Sequence, residues 1–409
     1  MTTIIGRILP LKKVFRPSSI GTRSTIKYKC PSVGFSLYSP NPMKITRLKE
    51  LLSRKSSQKF IPEIDALRFF AIIPVMFAHM SQAFLEYNVN FDRALIESES
   101  LLREICFRGN IGVELFFGIS GFILTLPFIN LKRSELKFKK YFLRRLIRIE
   151  PPYIIALILF FVVHIVMGSE SIGFLWERFL SSFFYLHNLV HESYSYILPP
   201  AWSLELEIQF YLLMPLFLYL FKAFKFKYWR PIVYAILLVV ALNLNVSPHL
   251  ELSDYFKYFL AGIVAADVYK NIKLPKHIIW DVVFTAGLLL FFFYFEDWFL
   301  RTLTLFLILI ASLHLVLLRQ MVTNKWVTII GGMCYSLYLL HFPFYHLVMK
   351  LFTNKLTIFS TYEMNFMFQA LIFIPLSIVC ITAFYLLVEK PFMVLSQRYG
   401  KSKVPKKVE

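Results

Sequence analysis

Charge is scarce in this chain. Asp, Glu, Lys and Arg make up only 17% of its 409 residues, against 57% hydrophobic and 18% aromatic residues, and the mean hydropathy is +0.60. A water-soluble domain carries more charge than this, so a soluble globular class is excluded. Cysteine is scarce too. Cys30, Cys106, Cys334 and Cys380 show neither paired nor metal-ligand spacing, which removes a disulfide framework and a structural zinc site. No P-loop, dinucleotide fingerprint or zinc motif is present, nor any long internal repeat. Acids are the rarer charge, 25 against 45 Lys and Arg. Residues 1–59 hold a single acid, Glu50, and no apolar run long enough for a signal peptide. They read as a basic, Ser-rich, disordered extension.

What the chain has in abundance is long apolar windows. Ten of them read as spans of the hydrocarbon core, with 152–167 a short one: 64–84, 111–130, 152–167, 205–221, 231–246, 253–270, 280–296, 300–318, 332–350 and 366–388. Residues 174–190 mix Phe, Leu and Trp176 with Glu177 and Arg178, a pattern that suits an interfacial or re-entrant helix. The expected fold is therefore all-α, a polytopic membrane helical bundle of about ten spans occupying 60–393, with a basic tail at 394–409.

Loop charge orients the bundle. Segments 1–60, 131–149, 222–230, 270–277, 319–325 and 389–409 hold 36 Lys or Arg and 4 acids. Segments 85–110, 168–204, 247–254, 296–301 and 350–363 hold 7 and 13. Basic loops stay in the cytoplasm, so both termini are expected there. The net charge of +20 then follows from this bias and calls for no nucleic acid.

Polar residues inside the windows carry the chemistry. In the first, Asp65, Arg68 and His79 stand three and eleven residues apart. Eleven steps of about 100° close three turns plus about 20°, so the three share one face. Ionisable groups in a bilayer are costly and face a cavity or the bundle interior. The competing reading is a snorkelling Asp and Arg near the helix end plus one satisfied His. Glu114, in Gly112-Val-Glu114-Leu-Phe-Phe-Gly-Ile-Ser120-Gly121-Phe122, falls in the outer half of the second window, as His79 does in the first. A carboxylate there is placed to orient the His ring; a Glu escaping to the interface competes with that reading. Arg145 and Arg148 sit one turn apart at the cytoplasmic edge of the third span, just before Pro151-Pro152. Clustered guanidinium groups grip phosphates, and they also anchor cytoplasmic helix ends. Glu207 and Tyr211 share a face at i and i+4. Trp202 is expected at the outer interface, and His341 lies mid-membrane.

These motifs, in order, resemble the membrane acyltransferase 3 family of integral-membrane O-acyltransferases of glycans. Asp65-x-x-Arg68-x10-His79 is similar to its opening motif, and Gly112 to Phe122 to its second. Arg145-Leu-Ile-Arg148 resembles its basic element. Trp202-Ser203-Leu204-x-x-Glu207-x-Gln209-Phe210-Tyr211 resembles its most recognisable signature, and Tyr335-Ser336-Leu-Tyr338-Leu-x-His341 and Glu389-x-Pro391 its closing elements. Two departures stand out: Glu114 where many members have Asp, and Cys334 where Ser is frequent.

The resemblance implies transfer of an acyl group, usually acetyl from acetyl-CoA, to a sugar hydroxyl, with no metal. The implied partners are acyl-CoA, a glycan or lipid-linked sugar, and membrane lipid; the implied location is a bacterial plasma membrane. His79 is then the general base, held by Glu114 or Asp65. Arg68, Arg145 and Arg148 hold the acyl-CoA. Trp202, Glu207, Tyr211 and His341 contact the acceptor. A proton-coupled carrier for an anionic or glycan substrate, and a non-catalytic scaffold of a glycan machine, are the other readings the residues allow.

Overall fold

A computed structural model describes residues 60–131, 135, 138–168, 170–223, 229–243, 252–294 and 296–398. The extension expected at 1–59 and most of the basic tail lie outside the described residues. Among the described residues every regular element is helical. The helices of eight or more residues are α1 (Pro62–Tyr87), α2 (Leu101–Arg108), α3 (Gly112–Thr125), α4 (Phe138–Met167), α5 (Ile172–Phe183), α6 (Ala201–Ala223) and α7 (Trp229–Asn243). They continue with α8 (Leu252–Asn271), α9 (Ile279–Phe293), α10 (Trp298–His314), α11 (Lys325–Gly332), α12 (Cys334–Phe352), α13 (Tyr362–Phe384) and α14 (Lys390–Arg398). Each of the ten apolar windows contains a helix. By length and composition, four helical segments are able to cross a membrane: α1, the Leu101–Thr125 unit of α2 and α3, α4, and the Tyr362–Arg398 unit. A bent pair of helices makes up to five.

α1 is the pillar of the bundle. It packs against α2, α3, α10, α11, α12 and α13, and Ala66, Leu67, Ala71, Ile72, Val75 and Met76 along it are fully buried. Without a hydrophobic drive between helices in lipid, close backbone approach takes over, and small residues permit it. The α3–α8 seam is built this way. A Cβ on Gly262 would lie 2.0 Å from the Gly118 carbonyl oxygen, and one on Gly121 would lie 2.1 Å from that of Phe259. With that face of α3 locked to α8, Ser120 turns toward α6.

Three details depart from the sequence reading. The second span begins earlier than 111: Ser100 caps α2, its hydroxyl accepting from the Arg103 amide at 3.3 Å, and a 3₁₀ turn at Gly109–Ile111 links α2 to α3. The Pro151-Pro152 pair lies inside the 30-residue α4 rather than at its start. Those prolines cannot donate to the carbonyls of Ile147 and Arg148; the Tyr335 hydroxyl donates to the next carbonyl, Ile149, at 2.9 Å and ties the segment to α12. The window at 332–350 is also not one straight span. α11 and α12 meet at Met333 with a 71° bend. The second helix restarts inside the protein because buried Glu389 accepts from the Ser336 amide at 3.1 Å and the Ser336 hydroxyl at 2.6 Å. A carboxylate at a helix N-terminus satisfies orphan amides and opposes the helix dipole. The stretch 174–190, expected as an interfacial or re-entrant helix, is helical up to Phe183 as part of α5, with Leu175 buried and Ile172, Trp176 and Leu180 exposed.

Candidate active site

A cavity with about 100 Å³ of free volume lies between α1, α3, α4, α6 and α12. Its polar lining is Arg68 of α1, Ser120 of α3, Arg145 and Arg148 of α4, Ser203, Glu207 and Tyr211 of α6, and Cys334, Tyr335 and Tyr338 of α12. Arg68 is buried and pairs with buried Asp65 one turn away on α1. Glu207 accepts from the Ser120 hydroxyl at 2.5 Å and from the Tyr211 hydroxyl. The Arg145 guanidinium lies 5.4 Å over the Tyr211 ring. Three guanidinium groups and one carboxylate thus share a small space with aromatic walls, where charge-assisted bonds are strong.

This changes the grouping of two residues. Glu207 and Tyr211, both expected to contact the acceptor, line the same cavity as the three arginines expected to hold the donor. The i, i+4 relation was right.

His79 has a partner that sequence spacing did not name. Its Nδ1 lies 2.7 Å from Nε2 of His341, with the rings stacked at 5.0 Å between centroids. His341 is fully buried, and its Nδ1 lies 2.8 Å from the Leu337 carbonyl oxygen. A carbonyl only accepts, so His341 Nδ1 carries the proton there. In the neutral pair His341 Nε2 is then the acceptor, and His79 Nδ1–H donates to it. That assigns the lone pair of His79 to Nε2, the nitrogen facing away from the bond. The arrangement fixes ring and tautomer as a carboxylate would, through a second imidazole. The expected carboxylates are engaged elsewhere: Asp65 with Arg68, and Glu114 with Arg301 of α10 at 3.0 Å. The Glu114–Arg301 pair arises because α3 and α10 are neighbours, with Leu305 of α10 packed on Gly118.

His79 does not line the cavity. Tyr338 stands between them: it lines the cavity, its ring lies 6.0 Å from that of His341, and its hydroxyl is 2.6 Å from that of Ser203. Trp202, next to Ser203, packs against Phe117, Tyr255 and Tyr194 with ring separations of 6.2, 5.3 and 5.9 Å. Among the described residues no group of three or more His, Cys, Asp or Glu is disposed to hold a metal ion.

Residues 61–386 match the acyltransferase 3 family, whose model describes an acyltransferase domain. The chain belongs to that family. It is 26% identical over 334 residues to the O-acetyltransferase OatA of Staphylococcus aureus, covering 71% of this chain and 52% of that relative. It is 29% identical over 177 residues to the peptidoglycan O-acetyltransferase OatA of Listeria monocytogenes, covering 40% of this chain and 25% of the relative. The chain thus spans about half the length of the Staphylococcus relative. No solved structure matches it.

Within this acyltransferase domain, sequence reasoning passed over Arg301, Lys257 and the joint role of Ser203 and Tyr338. Lys257 had a legible signal, as a cation inside the apolar 253–270 window, well away from Lys270 at its end. Arg301 was assigned to a loop, and nothing in its neighbourhood pointed to Glu114.

Proposed function

We propose that this chain is a membrane O-acyltransferase that takes an acyl group, acetyl by the names of its relatives, from cytosolic acyl-CoA and places it on a hydroxyl of an extracytoplasmic glycan. The observation that carries this reading is one line of groups. It begins with the Arg68–Arg145–Arg148 cavity, passes Tyr338 and Ser203, and ends at the His79–His341 pair. The guanidinium groups at the cationic end of the cavity suit the CoA phosphates, and its aromatic walls suit the less polar arm that carries the thioester. A thioester is already activated, so the protein must chiefly position it and help a weak alcohol nucleophile.

In the step we infer, His79 Nε2 takes the proton of the acceptor hydroxyl as its oxygen attacks the thioester carbonyl. The C–S bond breaks, and the imidazolium returns the proton to the CoA thiolate. His341 holds the ring and shares the developing charge through the Nδ1–H bond. The Tyr338 and Ser203 hydroxyls share a bond at the end of the cavity nearest the histidines, where one of them is placed to donate to the carbonyl oxygen as it gains charge. Arg68 lies about 16 Å along α1 from His79 at a rise of about 1.5 Å per residue, which suits the far end of the donor.

The proposal includes ten spans with both termini in the cytoplasm, and a donor and acceptor that arrive from opposite faces. No acyl-CoA then needs to cross lipid, which its charged head would resist. Its home is a bacterial plasma membrane. Cysteine labelling tests the topology: probes at 93 and 192 react from outside intact cells, and probes at 139 and 273 only after permeabilisation. Outside labelling at 139 would overturn the orientation. Purified protein incubated with radiolabelled acetyl-CoA and peptidoglycan fragments tests the activity. Acetyl flux without ester formation would instead favour a carrier.

A further inference from the structure

The N-terminal ends of α3, α6, α8 and α10 meet at one rim of the bundle. Three aromatic residues gather there: Tyr194, which is 58% exposed, and the partly buried Trp202 and Tyr255. They pack on one another, and Trp202 and Tyr255 both contact Phe117, a wall of the arginine cavity. Beside them lie the Glu114–Arg301 ion pair and Lys257, whose ammonium sits 5.6 Å over Trp298. We infer that this rim is a saccharide platform, with Tyr194, Trp202 and Tyr255 as its stacking surface and Glu114, Arg301 and Lys257 as its polar lip, for an uncharged pyranose chain. The inference rests on the acyltransferase reading and adds that the glycan is uncharged and which residues hold it.

Two features separate the platform from an ordinary aromatic belt. Belt residues sit along the lipid boundary as individual anchors. These instead form a continuous cluster whose inner member, Phe117, faces the cavity. The cluster is also joined to the chemistry: Ser203 follows Trp202 in sequence and bonds Tyr338, whose ring approaches His341. An acceptor stacked on Trp202 therefore sits beside the line that ends at His79. Charge selects its class. Glu114 balances Arg301, and Asp254, one turn before Tyr258, lies on the same end of α8 as Lys257. Compensated charges offer donors and acceptors to hydroxyl and amide groups without favouring a polyanion. Flat aromatic faces bind the C–H faces of pyranose rings by apolar contact.

The test uses the full chain in detergent and an N-acetylglucosamine tetramer as probe, followed by tryptophan emission and by acetyl transfer. The tetramer is expected to change the emission, and Trp202→Phe to remove most of that change. Tyr194→Ala, at an exposed site that does not threaten folding, and Lys257→Met should each raise the tetramer concentration for half-maximal signal about fivefold. The acetyl-CoA dependence of transfer should stay within twofold of the unmodified protein. Equal tetramer binding in all three variants overturns the platform, as does a defect confined to acetyl-CoA use. Transfer to some other acceptor, unaffected by these changes, removes the platform and leaves the acyltransferase reading intact. Tetramer binding lost in the variants, in a protein that transfers no acyl group, keeps the platform and removes that reading.

Discussion

Two histidine pairs lie among the described residues, and they differ in how they are wired. In the bundle, His79 and His341 stack at 5.0 Å and share a direct 2.7 Å hydrogen bond that a backbone carbonyl polarises in one direction. In the segment between α5 and α6, His187 and His191 are closer, 4.7 Å between rings, yet each bonds elsewhere: His187 Nδ1 to the Ser193 carbonyl at 3.2 Å, and His191 Nε2 to the Ser181 hydroxyl at 3.1 Å. The first arrangement leaves one ring with a defined lone pair on a path to a cationic cavity. The second ties a short helix, His187–His191, between two residues with left-handed backbone, Tyr185 and Glu192. Nearness of imidazoles is not chemistry; the direction of the bonds, and what lies at their open end, decide.

The largest effect is expected at His79. His79→Ala should insert and fold, since the ring supports no backbone, and should lower acyl transfer by about 10²–10⁴-fold, the usual worth of a general base. Transfer by purified protein at saturating acetyl-CoA reads this directly, and normal product would end the assignment. His341→Ala is the next largest. It frees the His79 ring to turn and should cost on the order of 10²-fold in kcat, as a misplaced catalytic group does. His341→Gln, able to accept at the same place, should recover part of that loss, which a merely structural role for His341 would not explain.

Smaller effects sharpen the contrast. Arg145→Ala should raise the acetyl-CoA KM or lower kcat/KM for the donor about tenfold while the acceptor dependence stays the same, because it removes charge-assisted contact at the cavity only. Equal donor curves would make Arg145 a topology anchor. The other pair should barely touch transfer: His187→Asn is expected within twofold of the parent rate. Its signature is pH. Burial, with His191 and Arg178 adding to the effect, pushes His187 down to about 4 from an ordinary 6.5. The unfolded segment therefore binds the proton first, and local stability falls as pH drops from about 6.5 toward 4. Proteolysis between residues 170 and 200 should quicken over that range in the parent and lose most of its pH dependence in His187→Asn.

Local relations were legible in the sequence, and long-range ones were not. Asp65 with Arg68, and Glu207 with Tyr211, follow from helical spacing and are in contact as expected. A helix occupies each apolar window because hydrophobic length alone specifies it. His79 and His341 are 262 residues apart and Glu114 and Arg301 are 187 apart, and helical periodicity carries no information about such pairs. Helix ends were misplaced where tertiary groups override a local stop signal. Pro151-Pro152 reads as a start, yet α4 runs through it with Tyr335 bonded to the Ile149 carbonyl. The bend at Met333 is likewise secured by Glu389, 53 residues beyond Ser336.

The most direct test of the account is a sided transfer assay in proteoliposomes of known orientation. Acetyl-CoA is supplied on one face and an N-acetylglucosamine tetramer on the other. Acetyl ester should form only when acetyl-CoA meets the face carrying Arg145 and the tetramer meets the opposite face. It should vanish in His79→Ala. Product formed only when both substrates share one face, or undiminished product in His79→Ala, would contradict the cavity-to-histidine route.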